Sequence, residues 1–224
     1  MNTRSDSSDG GATAPDPIVL AAVHRFARDG FSAPLRQVAA DAGVSAALIM
    51  KRFESKEGLR TACDEYVLAW IRRVKAENMA AAADGHLLAS LASSDEHAPL
   101  LVYVLHSVMD GGDLGRAFVE HMIDDAEQYT ADAVARGIVR PSRDEKARVR
   151  YLVMSGLGTF LLSLLLRPVD DTSDLAAVTR RLQEETTLPM LELYTEGMLT
   201  SRTVLDDYLR HSSGADTDAS EETA

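Results

Sequence analysis

Lys51, Arg52 and Lys56 place three cations within six residues, and their chemistry is recognition of phosphate oxygens rather than bond making. Ser55 offers a hydroxyl cap to a helix starting at Lys56, and a lysine in a first turn opposes the partial positive charge of that helix end. A phosphate bound there satisfies both lysine and helix, so the spacing marks Lys56 as a backbone contact. Upstream, Ser45, Ala46 and Ala47 give a second short helix a small-sided first turn, able to approach base edges closely in a major groove. Leu48, Met50 and Lys51 continue that face. Arg36 and Gln37 come one element earlier, where they can hold phosphates. The candidate DNA-contacting set is Arg36, Gln37, Ser45, Ala46, Ala47, Leu48, Met50, Lys51, Arg52 and Lys56.

Three short helices must position these groups. In the first, Ile18, Ala22 and Phe26 recur every fourth residue until Gly30, which tolerates the positive φ of a helix stop. In the second, Leu35, Val38, Ala39 and Ala42 fall at i, i+3, i+4 and i+7, with Pro34 expected in the first turn behind a cap at Ser32 or Ala33. Gly43 turns the chain. Ser45 then caps a third helix to about Arg52, pinned by Ile49 and Phe53, and the result is a helix-turn-helix corner. A fourth helix is expected from Ser55 to Ala83, a rigid strut into the rest of the chain.

Catalytic chemistry finds little support. His121, Asp124 and Asp125 stand at i, i+3 and i+4 and could share a metal, but the same pattern describes a solvated helix face. There is no nucleophile elbow, paired-cysteine motif or nucleotide fingerprint, and neither a cofactor nor a bound metal is expected. The single Cys63 excludes an internal disulfide. It follows Leu59 by four residues, as a packed thiol would, and no signal-peptide pattern opens the chain. A cytoplasmic location is expected.

The chain has 224 residues, 46% apolar and only 5% aromatic, enough for two cores built from Ala, Leu and Val. A net charge of −12 looks adverse for binding DNA until it is divided along the chain. Residues 16–65 hold seven basic and seven acidic side chains, whereas residues 67–224 hold fifteen against twenty-six. The head is neutral and the acid lies beyond it, where it weakens nonspecific binding. The expected division is a disordered tail over 1–15, a helix-turn-helix domain over 16–62, a helical ligand-binding and dimerisation body over 63–211, and an acidic disordered tail over 212–224. Arg4, in the first tail, could reach a minor groove.

No strand-period alternation persists in the body, so the fold class is all-α. Helices are expected near His97–Met109, Leu114–Glu120, Met122–Arg136, Ser142–Leu166 and Ser173–Leu199, with a last turn or two over Thr203–Leu209. Pro99, Gly137, Pro141 and Pro168 mark boundaries, and Pro189 splits or kinks the last long helix. Tyr151–Leu166 is the most apolar stretch, but its sixteen residues fall short of a span and include Ser, Gly and Thr. It reads better as a packed helix, paired with the next one into a four-helix bundle across a twofold axis. A mostly apolar ligand pocket is expected from Trp70, Tyr103, His106, Phe118, Met122, Tyr151 and Met154, large faces with a few polar tips. Core packing is the competing reading of each.

The ordered residues Ala21-Ala22, Phe26, Gly30-Phe31, Val38-Ala39, Ala42-Gly43-Val44-Ser45, Phe53, Ser55-Lys56-Glu57 and Leu59 make this region similar to the DNA-binding head of the TetR (tetracycline-repressor-like) family. The chain departs from that pattern where many members carry Gly at the position of Ala47, Tyr near Ile49 and Met50, and His at Arg52. Lys51 and Arg52 can replace the missing phenol by charge. The segment from Gly30 to Val38 is also one residue shorter than the commonest spacing. The resemblance implies an all-helical homodimer, with paired heads on a pseudo-palindromic double-stranded operator and a body that often binds a small molecule and releases the DNA. The dimer is expected through the helices over 142–166 and 173–199. A sequence-specific regulator results, a repressor rather than an activator because a head on a promoter blocks polymerase unaided. Two alternatives stand beside it: a regulator controlled by a protein partner or by no ligand, and a helical enzyme or scaffold that never meets DNA.

Overall fold

The structure is a computed structural model that describes residues 15–84, 98–166 and 175–211. The helices are α1 (Pro17–Asp29), α2 (Leu35–Asp41), α3 (Ala46–Phe53), α4 (Lys56–Ala83), α5 (Ala98–Asp110), α6 (Gly112–Ala135), α7 (Glu145–Leu166) and α8 (Leu175–Thr195). A further helical segment spans 203–211, and no strand occurs among the described residues. The tails, Arg4 included, lie outside the described residues except at Pro15, and so does Pro168. The chain divides into two compact units at Arg180.

In the first unit, α1 starts where the Asp16 carboxylate accepts the Ile18 N–H at 2.9 Å, with Pro17 opening the helix. It stops at Gly30, φ 72°, a left-handed conformation that glycine adopts without a Cβ penalty. Ile18, Val19, Ala22, Val23, Phe26 and Ala27 are buried along one face. The start of α2 differs from expectation: Pro34 itself is the cap, extended at φ −75° and ψ 143°, and no side chain accepts from the first turn. Ser45 caps α3 by accepting the Leu48 N–H at 3.1 Å. Ser55 does the same for α4 through the Gly58 N–H at 2.9 Å.

α1 packs on α2, α4 and α5, α2 and α4 flank α3, and α6 bridges α4, α5 and α7. One hydrophobic core therefore runs from Ile18 in the head through Leu59, Val67 and Trp70 of α4 to Tyr103 and Phe118. Rings mark its path, with centroids 5.4 Å apart for Phe26–Phe31, 5.3 Å for Phe31–Tyr103 and 6.4 Å for Tyr103–Phe118. Two glycines permit close crossings. A Cβ on Gly58 would lie 2.1 Å from the Phe53 carbonyl oxygen, and one on Gly115 would lie 2.6 Å from that of Ser107.

Several boundaries moved. α6 is one helix rather than two, because Phe118, Ile123, Ala126, Thr130 and Ala133 form one buried face across His121, with no Gly or Pro to interrupt it. α7 begins at Glu145 rather than Ser142, where the Asp144 carboxylate accepts the Ala147 N–H at 2.9 Å. α8 continues through Pro189 and ends at Thr195, short of Leu199, before Gly197 at φ 78°.

α7 is long and apolar enough, by length and composition, to cross a membrane, yet only 6% of its apolar window is buried. Tyr151, Met154, Leu162 and Leu165 form a stripe at spacings of three, eight and three residues. All four are exposed.

Candidate nucleic-acid interface

α3 turns Ile49 fully inward and leaves Phe53 half-buried. Four residues separate these anchors, so the opposite face of this two-turn helix is free. Ala47 and Lys51 are exposed there, Leu48 and Met50 are each 45% exposed, and Ser45 and Arg52 are exposed at the two ends of the helix. Two uncompensated apolar side chains on a small helix suit contact with thymine methyls and sugar edges. Ala46 is half-buried against the core.

Charge pairing sorts the cations of the head. Arg25 is clamped by Asp41 at 2.5 Å and Asp29 at 2.8 Å, and Arg28 also meets Asp29. Those bonds hold both carboxyls below the usual range, Asp41 through Arg25 and Asp29 through Arg28 first and Arg25 next. Arg60 binds Asp110 at 2.5 Å. Arg52, expected on a phosphate, instead meets Asp16 at 2.6 Å. Arg36, Lys51 and Lys56 form no ion pair among the described residues. Arg36 and Lys51 are exposed, whereas Gln37 and Lys56 are half-buried. Lys56 stands at the α4 N-terminus with Glu57 beside it in the first turn.

Behind this surface, α4 is fastened to the body by polar groups that sequence reasoning missed. The Arg60 guanidinium lies 3.7 Å over the Phe31 ring and 4.0 Å from the Asp64 carboxylate. Tyr103 donates to Asp64 at 2.7 Å. Burial pushes the Asp64 carboxyl up, against the downward pull of the Tyr103 bond and of Arg60. Burial likewise pushes the Tyr103 phenol far up. Arg60 and Asp64 at i, i+4 were visible in the sequence, but Asp110 and Tyr103 join them only through the fold. A groove of about 330 Å³ beside this network is lined by Phe26, Phe31, Lys56, Arg60, Asp110 and Leu114, among others.

Of the expected ligand-pocket residues, Trp70, Tyr103, Phe118 and Met122 share one hydrophobic core, which does not include Tyr151 and Met154. Tyr103 and Phe118 are fully buried in ring contacts, Trp70 is buried on α4, and Met122 is half-buried against the same core. His106 is half-buried beneath the head, 3.8 Å from the position of a Cβ on Gly30. Tyr151 and Met154 lie on the exposed stripe of α7, because periodicity finds a helix but not which way it faces. Cys63 is fully buried, its thiol pushed up chiefly by burial, as a packing residue's would be. Among the described residues no three His, Cys, Asp or Glu side chains converge to hold a metal.

A sequence model described as "Bacterial regulatory proteins, tetR family" matches residues 18–63, and one described as "Tetracyclin repressor-like, C-terminal domain" matches residues 95–200. The chain is also 42% identical over 197 residues to the HTH-type transcriptional regulatory protein RaaS of Mycobacterium tuberculosis, covering 88% of this chain and 92% of that protein. The chain belongs to the TetR family. It is a DNA-binding transcriptional regulator. A putative fatty acid metabolism regulator of Clostridium perfringens shares the fold at 15% identity, covering 83% of this chain and all of the other, with a TM-score of 0.53. A transcriptional regulator of Aquifex aeolicus VF5 does so at 16%, covering 77% and 96%, with a TM-score of 0.50. The residues matched by the first model, 18–63, hold α1, α2, α3 and the start of α4.

Proposed function

We propose that this TetR-family chain is a cytoplasmic, non-enzymatic repressor that binds a pseudo-palindromic operator as a homodimer and leaves it when a small molecule occupies the body. The observation that carries the DNA-contacting part is the exposed face of α3 with unpaired Lys51 on it, and unpaired Arg36 and Lys56 on the helices before and after it. Arg36, Lys51 and Lys56 form no ion pair among the described residues, while their neighbours Arg25, Arg28 and Arg60 do. Unpaired cations release counterions on meeting phosphates, whereas paired ones must first break a bond. In this reading Ser45, Ala47, Leu48, Met50 and Lys51 face bases or the adjacent backbone, half-buried Ala46 lies at the edge of that face, and Arg36, Gln37 and Lys56 hold phosphates. The head is taken as 16–62 and the body as 63–211.

Dimerisation is assigned to α7 and α8. The stripe Tyr151, Met154, Leu162 and Leu165 is an apolar seam that water disfavours and a twofold copy would cover. Selection of bound duplexes from a random pool tests the whole reading. The expected product is two inverted half-sites about one helical turn apart, or a multiple of it. No enrichment, or a single half-site, overturns it. Lys56→Ala should weaken binding to all duplexes and lower the salt slope by about one; an unchanged slope removes Lys56 from the set.

The close packing of Tyr103 and Phe118 favours a second reading, a regulator answering to a protein partner or to no ligand. Thermal shifts against a metabolite collection separate the two, since any compound that binds the folded state raises the melting temperature.

A further inference from the structure

We infer that Asp16 is a specificity-determining residue: its carboxylate withholds Arg52 from the phosphate backbone and so suppresses sequence-independent binding. The inference rests on α3 being the helix that reads DNA. Arg52 lies in the last turn of α3, next to Lys51; three residues after Ile49, it is exposed at the edge of the free face rather than on it. Its Nη2 is 2.6 Å from Oδ2 of Asp16, while its guanidinium also lies 5.6 Å from the Phe53 ring centroid.

Asp16 is an unusually well held partner. Its other oxygen, Oδ1, accepts the Ile18 N–H at 2.9 Å as the cap of α1, and the positive end of that helix favours a carboxylate. The side chain is 17% exposed against 55% for Arg52. Because the cap already fixes the aspartate, only the arginine gives up rotamer freedom to form the pair. One carboxylate therefore does two things: it starts α1 and it ties the end of α3 to that start. The charge of Arg52 is cancelled beside the DNA-facing surface, where each free cation adds affinity for every sequence alike. Lys51, one residue earlier and unpaired among the described residues, keeps its charge.

Asp16→Asn separates the two roles, since asparagine caps as well as aspartate but carries no charge. Full-length wild type, Asp16→Asn, Arg52→Gln and the double variant are titrated by fluorescence anisotropy, over a range of salt, against the selected operator and an unrelated duplex. Asp16→Asn should steepen the salt slope by about 0.9 and tighten binding to the unrelated duplex roughly fivefold at about 0.15 M salt. The ratio of operator to unrelated affinity should fall. Arg52→Gln alone should leave the slope at the wild-type value, and the double variant should return to it. Should Asp16→Asn lose its helical signal, Asp16→Ser, another capping residue, takes its place. An unchanged slope in a folded Asp16 variant overturns the inference, as does a drop of about one for Arg52→Gln alone, which would put Arg52 on a phosphate already. A wild type that prefers no duplex would instead sink the DNA-reading assignment of α3.

Discussion

Asp64 shows how one buried carboxyl can report on the joint between head and body. Burial raises its folded-state pKa above the ordinary carboxylate range near about 4, while the Tyr103 hydroxyl and then Arg60 pull it down. A raised folded-state pKa means that folding takes up a proton. The stabilising contribution is complete below the unfolded value and is lost as pH rises through the folded one. Asp64→Asn should therefore flatten the fall in stability above about pH 4, read from urea midpoints across pH. Tyr103→Phe removes the donor that favours the carboxylate, so the Asp64 resonance should titrate at higher pH by NMR. At neutral pH that variant should lose about 1–3 kcal/mol, the usual cost of stranding a buried acceptor. A smaller loss is expected in acid. A Tyr103→Phe protein with an unmoved Asp64 titration would rule out the coupling.

Among the helices, α3, proposed above to read DNA, is set by its two ends. Ser45→Ala should cost about 1 kcal/mol by removing the cap on Leu48. Ser45→Asp should restore that stability, since aspartate caps equally well, while weakening operator binding through repulsion of phosphate. If Ser45→Asp binds the operator as wild type does, Ser45 does not face the DNA. At the other end, the α3–α4 joint depends on Gly58, where a methyl would meet the Phe53 carbonyl at 2.1 Å. Gly58→Ala should therefore destabilise by about 1–3 kcal/mol, or roughly 2–4 °C of melting temperature per kcal/mol for a chain of this size. Calorimetry decides it: an unchanged melting temperature would mean that α4 can slide along α3 without penalty.

For the molecule as a whole, the acid of the body and the apolar stripe of α7 are two features that bear on assembly. Leu162 and Leu165 are 55% and 72% exposed, an unfavourable display of surface worth about 25 cal/mol for each Å² covered. The double variant Leu162→Glu/Leu165→Glu should run as a monomer by light scattering and lose most of its operator affinity, because each head then binds a half-site alone. A dimer that survives both glutamates would move the seam away from α7.

The sequence by itself determined the all-helical class, the corner formed by α2 and α3, and the face of α3 that stays free, because these depend on residues three and four apart and on local caps. Ser45 and Ser55 cap where expected, and Ile49 is fully buried. The family was legible for the same reason, since its motif lies within one short, locally folded head. Pairings between distant segments were settled only by tertiary structure: Arg52 with Asp16, Arg60 with Asp110, and Tyr103 with Asp64. Whether a large apolar residue goes to the core, as Phe118 does, or onto an open stripe, as Tyr151 does, was decided there too. Helical periodicity fixes which side chains share a face, but the direction of that face depends on where the other helices pack.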